Sequence, residues 1–391
     1  MNKTFKTAAD LAINGAPPAF DEVLHVGRPN IGERVRFDKY VDRIYESGWL
    51  TNNGPLVLEL EQQIASRLGV SHCVAMCNGT VALEIAIRAL DLHGEVIVPS
   101  FTFIATAHAL SWQGIQPVFA DVDPDTHNLD PVSVENMITP QTTGIIGVHL
   151  WGQPAPIDEL QALADENGLK LMFDAAHAFG ATYKGTSIGN FGECEVLSFH
   201  GTKFFNTFEG GAIVTNNDEL AEQTRLMRNF GFVGLDEVIY PGTNGKMAEV
   251  SAAMGLTNLV EIDKVLEKNR SNYEHYQKQF DEIEGIKILC YEGPEKFNYQ
   301  YIVAEVQSDF PLSRDRLIEI LHAENIRVRR YFWPGCHEME PYKEQSSHQI
   351  EKLAETITIA RKILVFPTGN AVSKECIERI ASVLRFLSRT S

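Results

Sequence analysis

Cysteine is sparse and nowhere paired in the sequence. The six thiols, Cys73, Cys77, Cys194, Cys290, Cys336 and Cys376, contain no C-x-x-C spacing. That lack removes the common zinc and dithiol signatures and reads as free thiols in a reducing compartment, with no metal site expected. No stretch approaches the roughly 18 apolar residues of a membrane span. The opening MNKTFKTAADLAINGAPPAF also lacks the apolar run of roughly 7 to 15 residues found in a signal peptide. A soluble, cytoplasmic protein is therefore expected. Basic charge is short too: 34 Lys and Arg stand against 52 Asp and Glu, a formal net charge of −18. Neither nucleic acid nor an anionic membrane is an expected partner, although a local positive pocket for a phosphate remains compatible with that balance. The patterns G-x-x-x-x-G-K and G-x-G-x-x-G are both missing, so the triphosphate loop and the dinucleotide turn are excluded.

What is present is ample apolar chain in an alternating pattern. With 391 residues and 44% hydrophobic content, two domains or one large domain with an appendage are expected. From about residue 70, short runs rich in Val, Ile and Phe alternate with segments of helical period, the pattern of crossover units on a mainly parallel sheet. Strands are expected at 72–76, 95–99, 117–121, 144–148, 170–174, 195–198 and 211–214. Helices are expected to open at Asp130 with Pro131 in the first turn, and to run from Ile157 to Asn167 with Gly168 as the stop. After Asn217 come helices at 218–228 and 248–280, broken near Asp263. Then follow a strand at 299–306, a helix at 313–324, a strand at 326–330 and a last helix at 373–387. The expected fold is α/β, a three-layer, mainly parallel sheet with a smaller C-terminal α/β domain. The boundary is expected near residue 265, giving a large domain over 1–265 and a small one over 266–391.

Three features in this frame carry chemistry. Asp174 ends an apolar strand, LKLMF, and so sits at the carboxyl edge where open α/β sheets bind ligands; it reads equally as a cap for the AAHAFG that follows. Lys203 comes after the next strand, beside Phe204 and Phe205. An amine among aromatic groups has its charged form disfavoured, which supplies the neutral nucleophile of Schiff-base chemistry, whereas most lysines are solvated surface charges. Gly79 and Thr80 open a helix directly after a strand, where free N–H groups and the helix dipole suit a phosphate, although any such turn needs a cap. Together the three meet the needs of pyridoxal 5′-phosphate: a phosphate cup, a carboxylate for the pyridine nitrogen and a lysine for the aldehyde.

The blocks WLTNNGP (49–55), PSFTFIATAHAL (99–110), GVHLWGQP (147–154), DAAHAFG (174–180), SFHGTKFFNTFEGGAIVT (198–215), GTNGKMAEVSAAMGL (242–256) and FPTG (366–369) occur in this order. In this collinear set the chain resembles the DegT/DnrJ/EryC1/StrS sugar aminotransferases of the aspartate aminotransferase fold (type I), over essentially its whole length. The resemblance implies that Lys203 is the Schiff-base lysine and Asp174 the partner of the pyridine nitrogen. His177, often Gln in relatives, matches the contact to the ring hydroxyl, and Phe103 the aromatic stacked on the pyridine face. Gly79, Thr80 and Ser198 match the phosphate contacts, and Asn244 an asparagine reaching the phosphate of a neighbouring subunit. A homodimer with shared sites follows. One departure is Gly201, where relatives commonly carry Ala; glycine adds backbone freedom to the turn without altering the chemistry.

On the substrate side, Trp49, Thr51 and Asn52 resemble the family's substrate loop. The segment with Arg329, Arg330, Tyr331 and His337 resembles the C-terminal stretch near the site. Arg330, Tyr331 and His337 are the substrate candidates there, although on a strand the side chains of 329 and 330 face opposite ways, so only one can meet an anionic ligand. His149 and His200 lie at strand ends and read equally as scaffold or base; a transaminase needs no histidine base, because the displaced lysine carries the proton. The implied activity is amino transfer from glutamate to a nucleotide-linked 4-keto-6-deoxy sugar, most like dTDP-4-keto-6-deoxyglucose, through pyridoxal and pyridoxamine forms of the cofactor. A C3-directed enzyme shares every catalytic residue. A sugar dehydratase of the same fold replaces the lysine by histidine, against Lys203 here, and a silent cofactor-binding regulator need not keep the reactive amine.

Overall fold

The structure is a computed structural model that describes residues 3–291 and 293–389. Seven strands form the main sheet: β1 His72–Met76, β2 Glu95–Pro99, β3 Gln116–Ala120, β4 Thr142–Val148, β5 Lys170–Asp174, β6 Glu195–Ser198 and β7 Gly211–Thr215. Their spatial order is β1-β7-β6-β5-β4-β2-β3. All pairings are parallel except the two made by β7, which alone runs in reverse.

These strands are apolar on both faces because each face meets a helical layer. Ile97, Ile145, Leu171 and Leu197 enter one core, while their neighbours Val96, Val98, Ile146, Met172 and Val196 enter another. The first core is closed by α1 Arg34–Ser47, α2 Pro55–Leu68, α5 Ile157–Asn167 and α7 Glu249–Leu259; the second by α3 Gly79–Ala89, α4 Ala105–Ser111 and α6 Asp218–Met227. Three layers result, as the two-face burial of the strands requires.

A second unit holds a three-stranded antiparallel sheet, β8 Ile286–Ile288, β9 Ile302–Val306 and β10 Ile363–Phe366 in that order. It packs with α8 Ile262–Phe280, α9 Arg314–Ala323 and α10 Lys374–Ser388. Leu11, Phe20 and Leu24 from the start of the chain enter this same core.

Several expected elements move. The strand expected at 326–330 is only Ile326–Arg327, paired in parallel with Leu24–His25, and Arg329 then turns to bridge Val365 of β10. The strand expected from Tyr299 starts at Ile302, since Tyr299 has a left-handed backbone (φ 49°). The helical break expected near Asp263 falls at residues 260–261, between Leu259 and Ile262. There the Asn258 side chain is drawn into bonds with the Asn206 carbonyl and the Gly32 N–H. Neither Gly nor Pro marks that break.

The parallel strands deliver their carboxyl ends to one edge. Residues 78–80 after β1, 100–103 after β2, Asp174 at the end of β5 and Ser198 at the end of β6 therefore converge. Reversed β7 starts at the same edge, and Gly211 is obligatory there: a Cβ would lie 2.7 Å from the Gly79 nitrogen and 2.8 Å from the Leu197 carbonyl oxygen.

Candidate active site

That edge surrounds a cavity of about 310 Å3. It is walled by Gly79, Thr80, Phe103, Asp174, His177, Ser198, Lys203 and Tyr331, with Tyr301, Phe332 and Arg329 from the C-terminal part. At one end stands the N-terminus of α3. Asn78 caps it, its side-chain oxygen accepting from Val81 N–H at 2.8 Å. The N–H groups of the first turn have no helical partner and, with the dipole, favour an anion. Ser198 lies against this turn, its Cβ 3.1 Å from where a Gly79 Cβ would sit.

Asp174 is buried, and its carboxylate accepts from Thr106 Oγ1 at 2.8 Å and from Ala176 N–H at 3.0 Å. Burial raises its pKa against those two bonds and the charge of Lys203. A buried carboxylate in that condition is short of a cation.

Lys203 follows β6 in a turn closed by its N–H to the His200 carbonyl at 2.8 Å. Its amine lies 3.5 Å from Tyr301 Oη. Desolvation lowers its pKa to about 8, the Asp174 charge opposing the fall. The adjacent phenylalanines are not what surrounds the amine. Phe204 and Phe205 turn into the core against Phe179, at ring separations of 6.3 and 5.0 Å, and the aromatic group facing the amine is Tyr301.

His177 is buried between Tyr301, at 4.8 Å, and the ring of Phe332, at 6.0 Å. Burial, then the charge of Lys203, push its pKa well below the usual value, so the ring is neutral. Its Nδ1 has no hydrogen-bond partner among the described residues. Phe103 is 54% exposed, which leaves its ring available to a ligand.

Other expected residues lie elsewhere. Arg330 turns away, pairing with Asp315 at 3.1 Å and lying over Trp333. It is Arg329 that lines the cavity, its backbone locked to Val365 by bonds of 3.0 and 2.7 Å and its guanidinium over Tyr331. His337 is buried outside the cavity and bonded to Ser100 Oγ at 2.6 Å. Trp49, Thr51, Asn52 and Asn244 are exposed and do not line the cavity of their own chain. Of the two open histidines, His149 is scaffold. It accepts from Ala155 N–H and meets buried Glu195 at 3.1 Å. His200 lines the cavity mouth beside Glu209, 3.4 Å away. Tyr301 was not legible as a site residue, since it reaches the site from a segment without a local motif; Thr106 lies inside the PSFTFIATAHAL block without being singled out there, and Arg329 was weighed beside Arg330.

Residues 32–385 match the family described as the DegT/DnrJ/EryC1/StrS aminotransferase family. The chain belongs to this family. Among relatives of this aminotransferase, the dTDP-4-amino-4,6-dideoxy-D-glucose transaminase of Shigella dysenteriae is 38% identical over 365 residues, 93% of this chain and 99% of the relative. The Escherichia coli protein of the same description is 35% identical, over 93% and 98%. The crystal structure of DesI in the presence of its TDP-sugar product superposes with a TM-score of 0.94 at 44% identity, covering 98% of this chain and 97% of DesI. The family's sugar aminotransferases use pyridoxal phosphate. The cavity has the features such a group needs: a His177 nitrogen unpartnered among the described residues, a buried carboxylate short of a cation, a helix N-terminus and a lysine whose pKa is lowered to about 8.

Proposed function

We propose that this aminotransferase uses pyridoxal 5′-phosphate to move an amino group from glutamate to C4 of a dTDP-linked 4-keto-6-deoxy sugar, releasing 2-oxoglutarate. The observation that carries the reading is one cavity walled by Lys203, Asp174 and the N-terminus of α3. The C4 and dTDP parts rest on the two transaminase relatives and on DesI with its TDP-sugar product.

We assign the phosphate to Gly79, Thr80 and Ser198, the pyridine nitrogen to Asp174, the ring hydroxyl to His177 and the ring face to Phe103. Bound there, the cofactor supplies an electrophilic aldehyde carbon and a ring that withdraws electrons from the reacting centre. Asp174 keeps the ring nitrogen protonated, a task suited to a carboxylate whose other partners are one hydroxyl and one N–H. Lys203 is the nucleophile. With a pKa of about 8, roughly a tenth of its amines are neutral at pH 7, against roughly one in several thousand for an ordinary lysine. When not bonded to the cofactor, the same amine would hold and move the proton that the transfer requires. Tyr301 Oη, 3.5 Å away, holds the amine at the cavity during that exchange.

The proposed assembly is a homodimer in which Asn244 reaches the neighbour's phosphate. Its support is that Asn244 is exposed and outside its own cavity, while Val35, Leu50, Leu58 and Val250 leave apolar side chains 45–69% exposed around packed α1, α2 and α7. We also propose the domain division near residue 265, with the segment through Leu24 packed on the smaller core.

The reading is tested by adding pyridoxal phosphate, reducing with borohydride and mapping the adduct by mass. Attachment at Lys203, and loss of the visible absorbance when glutamate is added before reduction, are expected. Attachment elsewhere or indifference to glutamate contradicts it.

A further inference from the structure

Behind the cavity three rings stand nearly parallel. Phe332 and His177, which line it, lie 6.0 Å apart at 10°. Trp151, which does not, is 5.3 Å from Phe332 at 15° and 6.3 Å from His177 at 17°. Trp151 is wholly buried and donates its indole N–H to His127 Nδ1 at 3.2 Å. His127, also wholly buried, faces Glu305 Oε1 through Nε2 at 3.2 Å.

The direction of this chain is fixed by chemistry. An indole only donates, so His127 Nδ1 is the acceptor, and the ring's hydrogen sits on Nε2, where it is given to Glu305. Burial pushes the Glu305 carboxyl up, but hydrogen bonds from His127 and Gln307 outweigh it and hold the pKa below the usual range. His127 and Trp151 both have left-handed backbones, φ 61° and 60°. Such backbone at residues with side chains persists only where the surroundings over-determine it, and it clusters at functional sites. Here Asn128 Oδ1 accepts from Leu150 N–H at 3.0 Å and Tyr291 Oη donates to the Trp151 carbonyl at 3.0 Å. Glu305 lies on β9, so the chain runs from the smaller sheet to the cavity wall.

We propose that Glu305, through His127, sets the plane of Trp151 and thereby the orientation of His177 at the cavity. Glu305 and His127 are positioning residues for a reaction they do not touch. The inference rests on the assignment of His177 to the cofactor's ring hydroxyl.

Glu305→Gln is the informative variant. The amide oxygen can still accept from His127 Nε2–H, but the charge that fixes the ring's hydrogen on that nitrogen is gone, so the bond that holds a bare Nδ1 toward the indole N–H is weakened. Near-ultraviolet circular dichroism of the cofactor-free protein should then change in the indole bands. In the loaded enzyme the pH midpoint of the cofactor's visible absorbance should shift, and kcat should fall several-fold with the KM for glutamate unchanged. In a Trp151→Phe background, with no indole N–H to satisfy, Glu305→Gln should add none of these effects. A variant with lower thermal stability but wild-type dichroism and midpoint would overturn the proposal, as would equal effects in the Trp151→Phe background. A wild-type protein with no cofactor band would overturn the cofactor assignment and the role given to His177, while dichroism of the cofactor-free variants would still decide whether Glu305 sets the indole.

Discussion

Asp174→Asn exchanges one atom and separates two duties of the carboxylate. The amide oxygen still accepts from Ala176 N–H, which the native carboxylate meets at 3.0 Å, so the turn and the fold should persist. The negative charge is lost. In the cofactor-free protein that charge opposes the desolvation that brings Lys203 down to about 8, so without it the amine should titrate below 8 and become reactive at lower pH. In the loaded enzyme the same loss removes the charged partner of the pyridine nitrogen. A hydrogen bond involving a charged group contributes roughly 1.5–3 kcal/mol. At about 1.4 kcal/mol per tenfold change in rate, kcat should fall roughly 10- to 150-fold. Reactivity of the lysine and turnover thus move in opposite directions. The first is measured by labelling Lys203 with an amine reagent across pH and quantifying the peptide, the second by the rate of the half-reaction with glutamate. Wild-type turnover would reduce Asp174 to a cap for the segment after β5, and a labelling midpoint at or above the native one would refute the electrostatic reasoning.

Lys203→Met should abolish turnover while changing the pH dependence of stability. The folded pKa lies below the unfolded one, so the unfolded chain binds more protons between about 8 and about 10.4, and the native lysine costs stability most below that window. The stability advantage of Met should be largest at pH 8 and below and shrink toward pH 10.5 in thermal melts; a pH-independent difference would contradict the shift. Gly211→Ala should push a methyl group to within 2.7 Å of the Gly79 nitrogen, destabilising by about 1–3 kcal/mol and weakening cofactor retention in equilibrium dialysis, and unchanged retention would count against the phosphate cup. Mixed Lys203→Ala and Asn244→Asp subunits, each inactive alone, should regain activity as hybrids carrying one intact site, and no recovery after confirmed subunit exchange would remove Asn244 from the neighbour's site.

Legibility in the sequence followed how local each signal was. β1, β2, β5 and β6 are strands buried on both faces, so an uninterrupted apolar run marked them to the residue. Asp174 was visible because a carboxylate ending such a run stands at the edge where ligands bind, although a cap for the following segment explained it equally well, and Gly79 because a strand turned directly into a helix. Lys203 was recognised, but the environment inferred from its neighbours was wrong in detail: Phe204 and Phe205 enter the core, and Tyr301, almost a hundred residues on, meets the amine. Arg330 was preferred over Arg329, a choice that depended on which face of an extended segment looked inward. A backbone bridge to Val365 decides that face, and it forms only in the folded chain. The chain of Glu305, His127 and Trp151 joins three distant segments and left no trace in composition or spacing.

The central claim is amino transfer to C4 of a dTDP-linked keto sugar. Its most direct test is to incubate the protein, pyridoxal phosphate and 15N-labelled glutamate with dTDP-4-keto-6-deoxyglucose and to locate the label in the product by NMR. The account predicts 15N bonded to C4 of the sugar, with 2-oxoglutarate formed in equal amount and neither product in Lys203→Ala. Label at C3, or no nitrogen transferred by a protein that holds the cofactor at Lys203, would contradict it.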